Sequence, residues 1–373
     1  MPLLAAGHKR TGACPTFERP VLQRDGLLLR IPLVGGALDP AQAAAVAEVA
    51  SEHGSGTIEL TNRGNLQVRG VRDDAIGPAT ARLRAHGLGG RDAALVTISP
   101  FASGADRALR HQVVDALEDL LADGAPISPK FVVHVDDAFG TTAGRRAEAT
   151  VAHEDGQVRV RIDALGETVT DGVGVIAVIR ALAAACRRVA DDARVADAID
   201  ACGLAWLHAV LPADLDGLRP SRRRAATPPT AGPYRAPDGE DLVLASPRFG
   251  RMDPAALAGI AALGATVRVT PWRSIAVPAV DAAGLAALGL IVEADHPAAG
   301  VVTCIGAAGC WQSEADTWAE AERVVAERAR RGRVEPGLVH VTGCDKRCAT
   351  RGPVAVTLLG RVDGSGFDEL ASA

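Results

Sequence analysis

Residues 56–71 read GTIELTNRGNLQVRGV, a stretch in which apolar and polar residues alternate on both sides of the segment TNRGN. Alternation with a period of two predicts strands, and the glycine between them predicts a turn. Upstream, residues 26–34 (GLLLRIPLV) predict a further strand, and residues 39–54 (DPAQAAAVAEVASEHG) predict a helix with Asp39 at its N-cap and Pro40 in its first turn. The opening stretch is therefore the hairpin that completes a strand–helix–strand–strand unit.

The same unit returns in the second half of the chain. Residues 241–250 (DLVLASPRFG) predict a strand, residues 252–264 (MDPAALAGIAALG) predict a helix that opens with an Asp-Pro pair, and residues 265–280 (ATVRVTPWRSIAVPAV) predict two strands. From the helix proline to the hairpin threonine the interval is 21 residues in the first unit and 16 in the second. This repeated order indicates an internal duplication, whose two pseudo-symmetric halves would enclose a pocket between them.

The chain is predicted to divide into five segments. Each repeat is followed by a second α+β segment, and the stretch between the halves is rich in Pro and Arg and lacks helical periodicity. The predicted segments are a half-domain repeat at 1–93, an α+β domain at 94–220, a linker at 221–240, a second repeat at 241–298 and a second α+β domain at 299–373.

Composition restricts the class of protein. Hydrophobic residues make up 48% of the 373 residues and charged residues 23%, which is ordinary for a soluble globular chain. No uncharged apolar span of about 20 residues occurs and the N-terminus does not resemble a secretory signal, so we expect a cytoplasmic protein that is not membrane-bound. The net charge of −5 argues against a nucleic-acid partner.

Two short segments near the C-terminus contain four cysteines. Residues 303–310 (TCIGAAGC) have the spacing Cys-x5-Cys, residues 342–352 (TGCDKRCATRG) have Cys-x3-Cys, and 33 residues separate the two pairs. Four thiols that can reach one centre are what a [4Fe–4S] cluster requires, and such a cluster indicates electron transfer. A zinc site is the alternative, although five residues between paired cysteines is wider than its usual spacing. The predicted ligands are Cys304, Cys310, Cys344 and Cys348.

The remaining cysteines are scattered. Cys186 and Cys202 are interpreted as core thiols, and the role of Cys14 stays open. A disulfide framework is disfavoured because a chain of this length can bury a large core without one.

The order of Arg30 in a strand, TNRGNLQVRG, SPKF and the two cysteine motifs resembles the sulfite and nitrite reductase superfamily. Within it, three stretches most resemble the precorrin-3B synthase family: GACPTFERPVLQRDGLLLRI, PRFGRMDPAAL followed by VRVTPWRS, and TGCDKRCATRGPVAVTLLG. The resemblance covers nearly the whole chain. It implies an α+β, internally duplicated nitrite/sulfite reductase-like fold, with a tetrapyrrole beside a C-terminal [4Fe–4S] cluster segment.

The resemblance also implies a substrate site on the hairpin. Arg63 corresponds to an arginine that binds a macrocycle carboxylate, and planar guanidinium groups suit the acetates and propionates of such a ring. Asn62, Asn65, Gln67 and Arg69 lie on the same hairpin and are predicted to bind substrate with it. The alternative is that these residues form the polar outer face of an antiparallel strand pair, which for Arg69 is as well supported as binding.

Arg30 and Lys130 are the predicted catalytic residues. By the resemblance, both correspond to cations that point at the small ligand on the distal side of the tetrapyrrole. A second lysine of the superfamily falls at Val132, and the segment TISPFASGAD contains no arginine where the reductases have one. Part of the cationic cage that would stabilise an oxyanion during reduction is therefore missing, which favours reaction with neutral dioxygen.

The implied function is monooxygenation of precorrin-3A to precorrin-3B in aerobic cobalamin biosynthesis. Electrons from NADH or a reduced carrier would pass through the cluster, and a mononuclear non-haem iron would activate dioxygen. Its ligands are not visible in the sequence, and His134 and His340 are weak candidates. A separate electron-donor protein is expected because no dinucleotide-binding G-x-G-x-x-G occurs after a strand. The alternatives are a siroheme-dependent sulfite or nitrite reductase and a non-catalytic electron carrier or tetrapyrrole-binding protein.

Overall fold

The computed structural model describes residues 17–33, 36–89, 96–123, 127–128, 130–137, 141–142, 147–154, 157–162, 165–190, 193–212, 228–350 and 354–370. These residues form a mixed α+β structure, as predicted, and it contains four β-sheets. Within these ranges no helix is both long and apolar enough to cross a membrane. Cys14 lies outside the described residues, and so does the stretch 221–227 of the predicted linker.

The first repeat is built around one capped helix. Its elements are β1 (Val21–Gln23), β2 (Gly26–Ile31), β3 (Ala37–Leu38), α1 (Pro40–Glu52), β4 (Ile58–Leu60), β5 (Leu66–Val71) and α2 (Ile76–Ala85). The predicted start of α1 is confirmed, because the Asp39 carboxylate accepts from the Gln42 N–H at 2.8 Å and the Gln42 amide oxygen accepts from the Asp39 N–H at 3.1 Å. This reciprocal pair is a capping box that satisfies two N–H groups at the helix start.

The first α+β domain follows. Its elements are β6 (Val96–Ile98), α3 (Gly104–Ala122), β7 (Val133–Val135), β8 (Ala149–Glu154), β9 (Gln157–Ile162), β10 (Gly166–Thr170), α4 (Gly172–Val189), α5 (Val195–Cys202) and α6 (Leu204–Val210). The strand order is β10-β9-β8-β7-β6, with parallel pairing among β6, β7 and β8 and antiparallel pairing beyond them.

The second repeat begins earlier than the sequence predicts. Its elements are β11 (Gly232–Arg235), β12 (Asp241–Ala245), β13 (Arg251–Met252), α7 (Pro254–Ala262), β14 (Val267–Val269), β15 (Ile275–Pro278) and α8 (Ala282–Ala287). Strand β11 lies in the range predicted as a linker. It belongs to the second repeat, because it pairs with β12 across a short turn. Asp253 caps α7 as predicted, accepting from the Ala255 N–H at 2.7 Å.

The second α+β domain contains the cysteines. Its elements are β16 (Val301–Thr303), α9 (Thr317–Arg331), β17 (Val339–Thr342), β18 (Val356–Gly360) and β19 (Phe367–Leu370). Strands β16, β17 and β18 are parallel and β19 is antiparallel, which repeats the order of β6 to β9 in the first domain. The duplication therefore extends to both α+β domains.

The two repeats exchange a strand. One sheet has the order β1-β2-β5-β4-β13 and the other has the order β11-β12-β15-β14-β3, so the two-residue strand before each helix forms the edge of the other repeat's sheet. A single hydrophobic core contains side chains from both repeats, among them Leu38, Val46, Leu257 and Ile260. The repeats are consequently one packing unit.

The hairpin turns of the two repeats have the same internal hydrogen-bond pattern. The threonine hydroxyl accepts the N–H of the residue four positions later, at 3.0 Å for Thr61 and 3.3 Å for Thr270. Gly64 and Arg273 are the equivalent left-handed residues, with φ of +69° and +62°. A residue with a side chain is roughly 1–2 kcal/mol less stable than glycine in this left-handed conformation. The hydrogen bonds of the Arg273 side chain must therefore offset this cost.

Candidate functional site

A row of polar residues crosses the sheet of the first repeat in register. Arg30 on β2 lies opposite Gln67 on β5, Gln67 lies opposite Glu59 on β4, and Glu59 lies opposite Arg251 on β13. The Gln67 amide oxygen accepts from the Arg30 guanidinium at 3.1 and 3.2 Å, in the amide orientation that satisfies both groups. Since neighbouring residues of a strand point to opposite faces, the other face carries the apolar side chains that pack toward α1.

The equivalent row of the second sheet has a different composition. It consists of Leu244, Ala276, Arg268 and Ala37, paired in the same way across β12, β15, β14 and β3. Leu244 and Ala276 pack with Phe101 of the first α+β domain. A continuous polar row is therefore found in the first of these two sheets and not in the second, where Arg268 is the one charged member, and this polar row faces the domain that contains the cysteines.

Arg69 lies beside this row and is 3% exposed. Its guanidinium forms two hydrogen bonds with the Asp25 carboxylate at 2.7 and 2.9 Å, donates to Glu59 at 3.1 Å and donates to the Gly309 carbonyl at 3.0 Å. The interpretation of Arg69 as part of an outer polar face is wrong, because its side chain is enclosed between the sheet and the cysteine segment. A role in substrate binding stays a prediction.

Two further arginines from the second repeat reach the same place. Arg251 donates to the Cys304 carbonyl at 2.7 Å and to the Thr303 hydroxyl at 3.2 Å, and its guanidinium lies 4.6 Å from the Trp318 ring centre. Arg273 donates to the Thr303 carbonyl at 2.7 Å and to the Gly250 carbonyl at 3.3 Å. Both side chains therefore hold the backbone that leads into the first cysteine.

Glu59 is the carboxylate at the centre of these cations. One of its oxygens lies 3.7 Å from Arg273 Nη2 and 3.9 Å from Arg251 Nε, and the other accepts from Arg69. Burial would raise the pKa of Glu59, but the three guanidiniums together hold that pKa below its ordinary value. We call Glu59, Arg69, Arg251 and Arg273 the Glu59 cluster; it combines three positive charges with one negative charge.

The cysteines follow the ends of parallel strands. Cys304 follows β16, Cys310 comes after a short 3-10 turn, and Cys344 and Cys348 follow β17. The Gly343 N–H donates to Cys304 Sγ at 3.2 Å. The Gln312 N–H donates to Cys310 Sγ at 3.4 Å. Backbone donors of this kind stabilise thiolates and the sulfurs of bound clusters.

The thiols influence one another electrostatically. Burial raises the pKa of Cys310, the nearby Cys304 and Cys344 raise it further, and the Gln312 N–H opposes this effect. Cys304 also interacts with Arg251 and Arg273, and Cys348 interacts with Arg273. Cys310 is thus close to Cys304 and Cys344, and Cys304 and Cys348 are close to arginines of the Glu59 cluster.

The residues present fit a [4Fe–4S] cluster. Three polar atoms of the Glu59 cluster are buried without a hydrogen bond among the described residues, namely Glu59 Oε1, Arg251 Nε and Arg273 Nε. The buried excess of positive charge beside Cys304 needs an anionic neighbour, which a cluster on four thiolates supplies. For a single metal ion, no group of three or more His, Cys, Asp or Glu side chains is suitably arranged in the described ranges, so the structure assigns no ligands to a mononuclear iron.

The remaining predicted site residues lie at different distances from the cysteines. Asn62 is in contact with the cysteine segment, since its amide donates to the Cys348 carbonyl at 3.3 Å, and Arg63 is the next residue of that turn. Asn65 is buried and its side-chain oxygen accepts from the Leu33 N–H at 3.0 Å. Lys130 lies on an exposed turn just before β7 of the first α+β domain.

The two histidines considered as iron ligands are equivalent under the duplication. His134 is the middle residue of β7 and His340 is the second residue of β17, and both occur in the sequence Val-His-Val. His134 contacts the Thr97 hydroxyl through Nδ1. Burial lowers the pKa of His340 to about 4, with contributions from Arg273 and Arg347. Both are side chains of sheet interiors.

Sequence reasoning missed Glu59, Arg251, Arg273 and Asp25. The one local signal was Glu59, a carboxylate inside the short strand Ile58–Leu60 whose neighbours are both buried. A charged residue that is flanked by core positions points to the opposite face of the sheet, and burial of that face requires a partner for the charge.

Three comparisons with known proteins show what this chain is similar to. Residues 21–86 match the family model described as the nitrite/sulfite reductase ferredoxin-like half domain. The chain is 30% identical to a protein of Sinorhizobium sp named precorrin-3B synthase over 389 aligned positions, which cover 96% of this chain and 82% of that protein. The NirA protein of Mycobacterium tuberculosis has a similar fold, with a TM-score of 0.69 and 22% identity over 92% of this chain and 73% of that one.

Proposed function

The chain belongs to the precorrin-3B synthase family, and we propose that it catalyses the monooxygenation of precorrin-3A to precorrin-3B. In this reaction one atom of dioxygen becomes a hydroxyl on C20 of the macrocycle and the other leaves as water, which consumes two electrons and two protons. An acetate of ring A closes as a γ-lactone. Membership of this family identifies the protein as an oxidoreductase.

The observation that carries the proposal is the polar row of the first sheet beside the cysteine segment. A precorrin has many carboxylates, and fixed guanidiniums bind carboxylates with defined geometry. Arg63 lies on the turn that touches the Cys348 backbone through its neighbour Asn62, so a ring held by Arg63 would lie next to the cysteines. Arg30 is oriented by Gln67 and would direct its charge to the same side of the sheet.

Electron supply is the proposed role of the cysteines. A [4Fe–4S] cluster bound by Cys304, Cys310, Cys344 and Cys348 would supply single electrons, received from NADH or a reduced carrier protein. The proposal includes a mononuclear non-haem iron as the centre that binds dioxygen, because a cluster with four thiolate ligands has no open position. Lys130 is proposed to act together with Arg30.

Two measurements on anaerobically purified protein test the cofactor. Iron should exceed sulfide by the one mononuclear iron, since the cluster contains equal amounts of both, and the visible spectrum should show the broad absorption of the thiolate-bound cluster. Cys344→Ser should abolish this absorption. Cys202→Ser should leave it unchanged, because Cys202 lies at an exposed helix end and not in the core, so its interpretation as a core thiol is wrong. A stoichiometric siroheme spectrum would contradict the proposal and favour a sulfite or nitrite reductase.

The reaction itself is tested with isotopically labelled dioxygen. Protein supplied with precorrin-3A and a reductant should give a product that contains one labelled oxygen. A product without label would exclude monooxygenation, and the absence of any product with a fully loaded cluster would favour an electron carrier or a tetrapyrrole-binding protein.

A further inference from the structure

We propose that the Glu59 cluster sets the reduction potential of the iron–sulfur cluster, with Glu59 lowering it and Arg251 and Arg273 raising it. The inference rests on the iron–sulfur cluster of the proposed function. It assigns a role to residues that are not ligands of that cluster. The residues act through charge and through the backbone they hold, so they are positioning residues.

The first step of the argument is proximity. Arg251 and Arg273 donate to the carbonyls of Cys304 and Thr303 at 2.7 Å each, and Arg69 donates to the carbonyl of Gly309 at 3.0 Å. Gly309 and Thr303 are the residues directly before Cys310 and Cys304. The three guanidiniums therefore lie directly behind the peptide units that carry two of the four thiolates.

The second step is burial. Glu59 and Arg273 are 6% and 5% exposed, and Arg69 is 3% exposed. Water screens charges on a surface, but charges in the interior interact in a medium of much lower effective dielectric constant. A change in charge here should consequently change the free energy of adding an electron to the iron–sulfur cluster.

The third step is the sign. Reduction adds one negative charge, which neighbouring positive charge stabilises and neighbouring negative charge destabilises. Three guanidiniums face the carboxylates of Glu59 and Asp25, which leaves an excess of one positive charge. Glu59 limits that excess, because without it only Asp25, which binds Arg69, would oppose the three arginines behind the cysteine backbone.

The chain offers a matched control for Glu59. Glu314 is also near the cysteine segment, since it binds Arg24 at 2.7 Å and the charge of Arg24 interacts with Cys310. The Glu314 side chain is 59% exposed, however, so water screens it. Glu59→Gln and Glu314→Gln remove the same charge from a buried and an exposed position.

The test is a potentiometric titration of the anaerobically loaded protein, followed by the electron paramagnetic resonance of the reduced cluster. Glu59→Gln should raise the midpoint potential by the equivalent of a roughly tenfold change in the reduction equilibrium, about 59 mV for one electron. Arg273→Gln should lower it, and the double variant Glu59→Gln with Arg273→Gln should return it close to the wild-type value. Glu314→Gln should have no measurable effect.

Equal potentials for Glu59→Gln and Glu314→Gln would overturn the inference, as would shifts of the same sign in Glu59→Gln and Arg273→Gln. If Glu59→Gln does not fold, the potentials of Arg273→Gln and of the double variant give the same comparison, because these two proteins also differ only in the Glu59 charge. Denaturant unfolding of the cluster-free proteins provides a second readout, in which Glu59→Gln should be less stable than the double variant. A protein that binds the cluster with these potentials but gives no labelled product would refute the monooxygenase function and leave this inference intact.

Discussion

Arg69 shows how the environment of one residue decides its role. Its sequence position, two residues beyond Gln67 in an alternating strand, suits either a substrate ligand or a surface residue. In the structure its hydrogen bonds go to Asp25, Glu59 and Gly309, which places it between the first sheet and the cysteine segment.

Replacing Arg69 with Met should therefore destabilise the protein by about 3–5 kcal/mol, because Glu59 and Asp25 would lose their buried partner. Denaturant unfolding measures this loss. Arg72→Met is the control: that side chain is 57% exposed and lies 3.7 Å from Asp74, so its removal should cost less than about 1 kcal/mol. Unchanged stability of Arg69→Met, accompanied by weaker substrate binding, would instead assign Arg69 to the substrate.

His340 gives a prediction for pH. Burial lowers its pKa to about 4, against an ordinary value of 6.5, so it is neutral in the folded protein at pH 7. Between these two values the unfolded chain binds a proton that the folded protein does not, and stability falls as the pH falls. At pH 5, which is 1.5 units below the ordinary value, the loss is about 2 kcal/mol at 1.36 kcal/mol per unit.

His340→Leu should abolish this part of the pH dependence. Urea unfolding at pH 7 and pH 5 measures the difference for both proteins, and His86→Leu at an exposed position serves as the control. If the free energy of unfolding of His340→Leu falls between pH 7 and pH 5 as much as that of the wild type, other groups account for the acid sensitivity.

At the scale of elements, the loop after β17 is shaped by Gly343. A Cβ atom at this position would lie 1.9 Å from Ser313 Oγ and 2.7 Å from Ser313 Cβ. The Gly343 N–H donates to Cys304 Sγ, so a shift of the loop would also move a donor away from a cluster ligand.

Gly343→Ala should reduce cluster retention roughly tenfold, since groups that support metal ligands contribute about this much to metal affinity. Iron and sulfide content after reconstitution measures it. Combining Gly343→Ala with Ser313→Gly should restore the content, because the second change removes the clash, whereas Gly104→Ala, where a Cβ meets nothing within 4 Å, should have no effect. Failure of the double variant to recover would show that the clash with Ser313 is not the cause.

At the scale of the whole molecule, the exchange of β3 and β13 joins the halves. Each sheet of the repeats takes its edge strand from the other half, and one apolar core includes both α1 and α7. Neither half can complete its sheet or bury its helix alone.

Residues 1–220 and 221–373 expressed separately should therefore each be less stable than the full chain, because each exposes its half of the core shared by α1 and α7, while co-expression should give a stable complex of the two. Circular dichroism during urea unfolding and size-exclusion chromatography test this. The control is the full chain cleaved at a protease site inserted within residues 221–227, which should remain associated. Separate halves that are as stable as the full chain and do not associate would contradict a shared core.

Much of the fold could be predicted because its signals are local. The capping residues Asp39 and Asp253 lie within three residues of the N–H groups they bind. The alternation of polar and apolar residues in 56–71 predicts the two strands of the hairpin directly. The roles of Arg69 and Asn65 could not be predicted in this way. Arg69 finds an acceptor 240 residues along the chain at Gly309, and Asn65 holds the Leu33 backbone, and neither contact has a counterpart in local sequence.

The sequence by itself determined the duplication, the helix starts, the four cysteines and the family resemblance, because each depends on residue types at short intervals. The exchange of β3 and β13, the difference between the polar row of the first sheet and the row of the second sheet, whose one charged residue is Arg268, and the position of Glu59 among three arginines emerge from the tertiary structure alone. The physical reason is that a buried charge is tolerated only where distant elements bring its partners to it. In this protein those partners come from both repeats and from the cysteine segment. The charged residues Glu59 and Arg69 of the hairpin 56–71 are therefore paired with residues more than 180 positions away in the sequence.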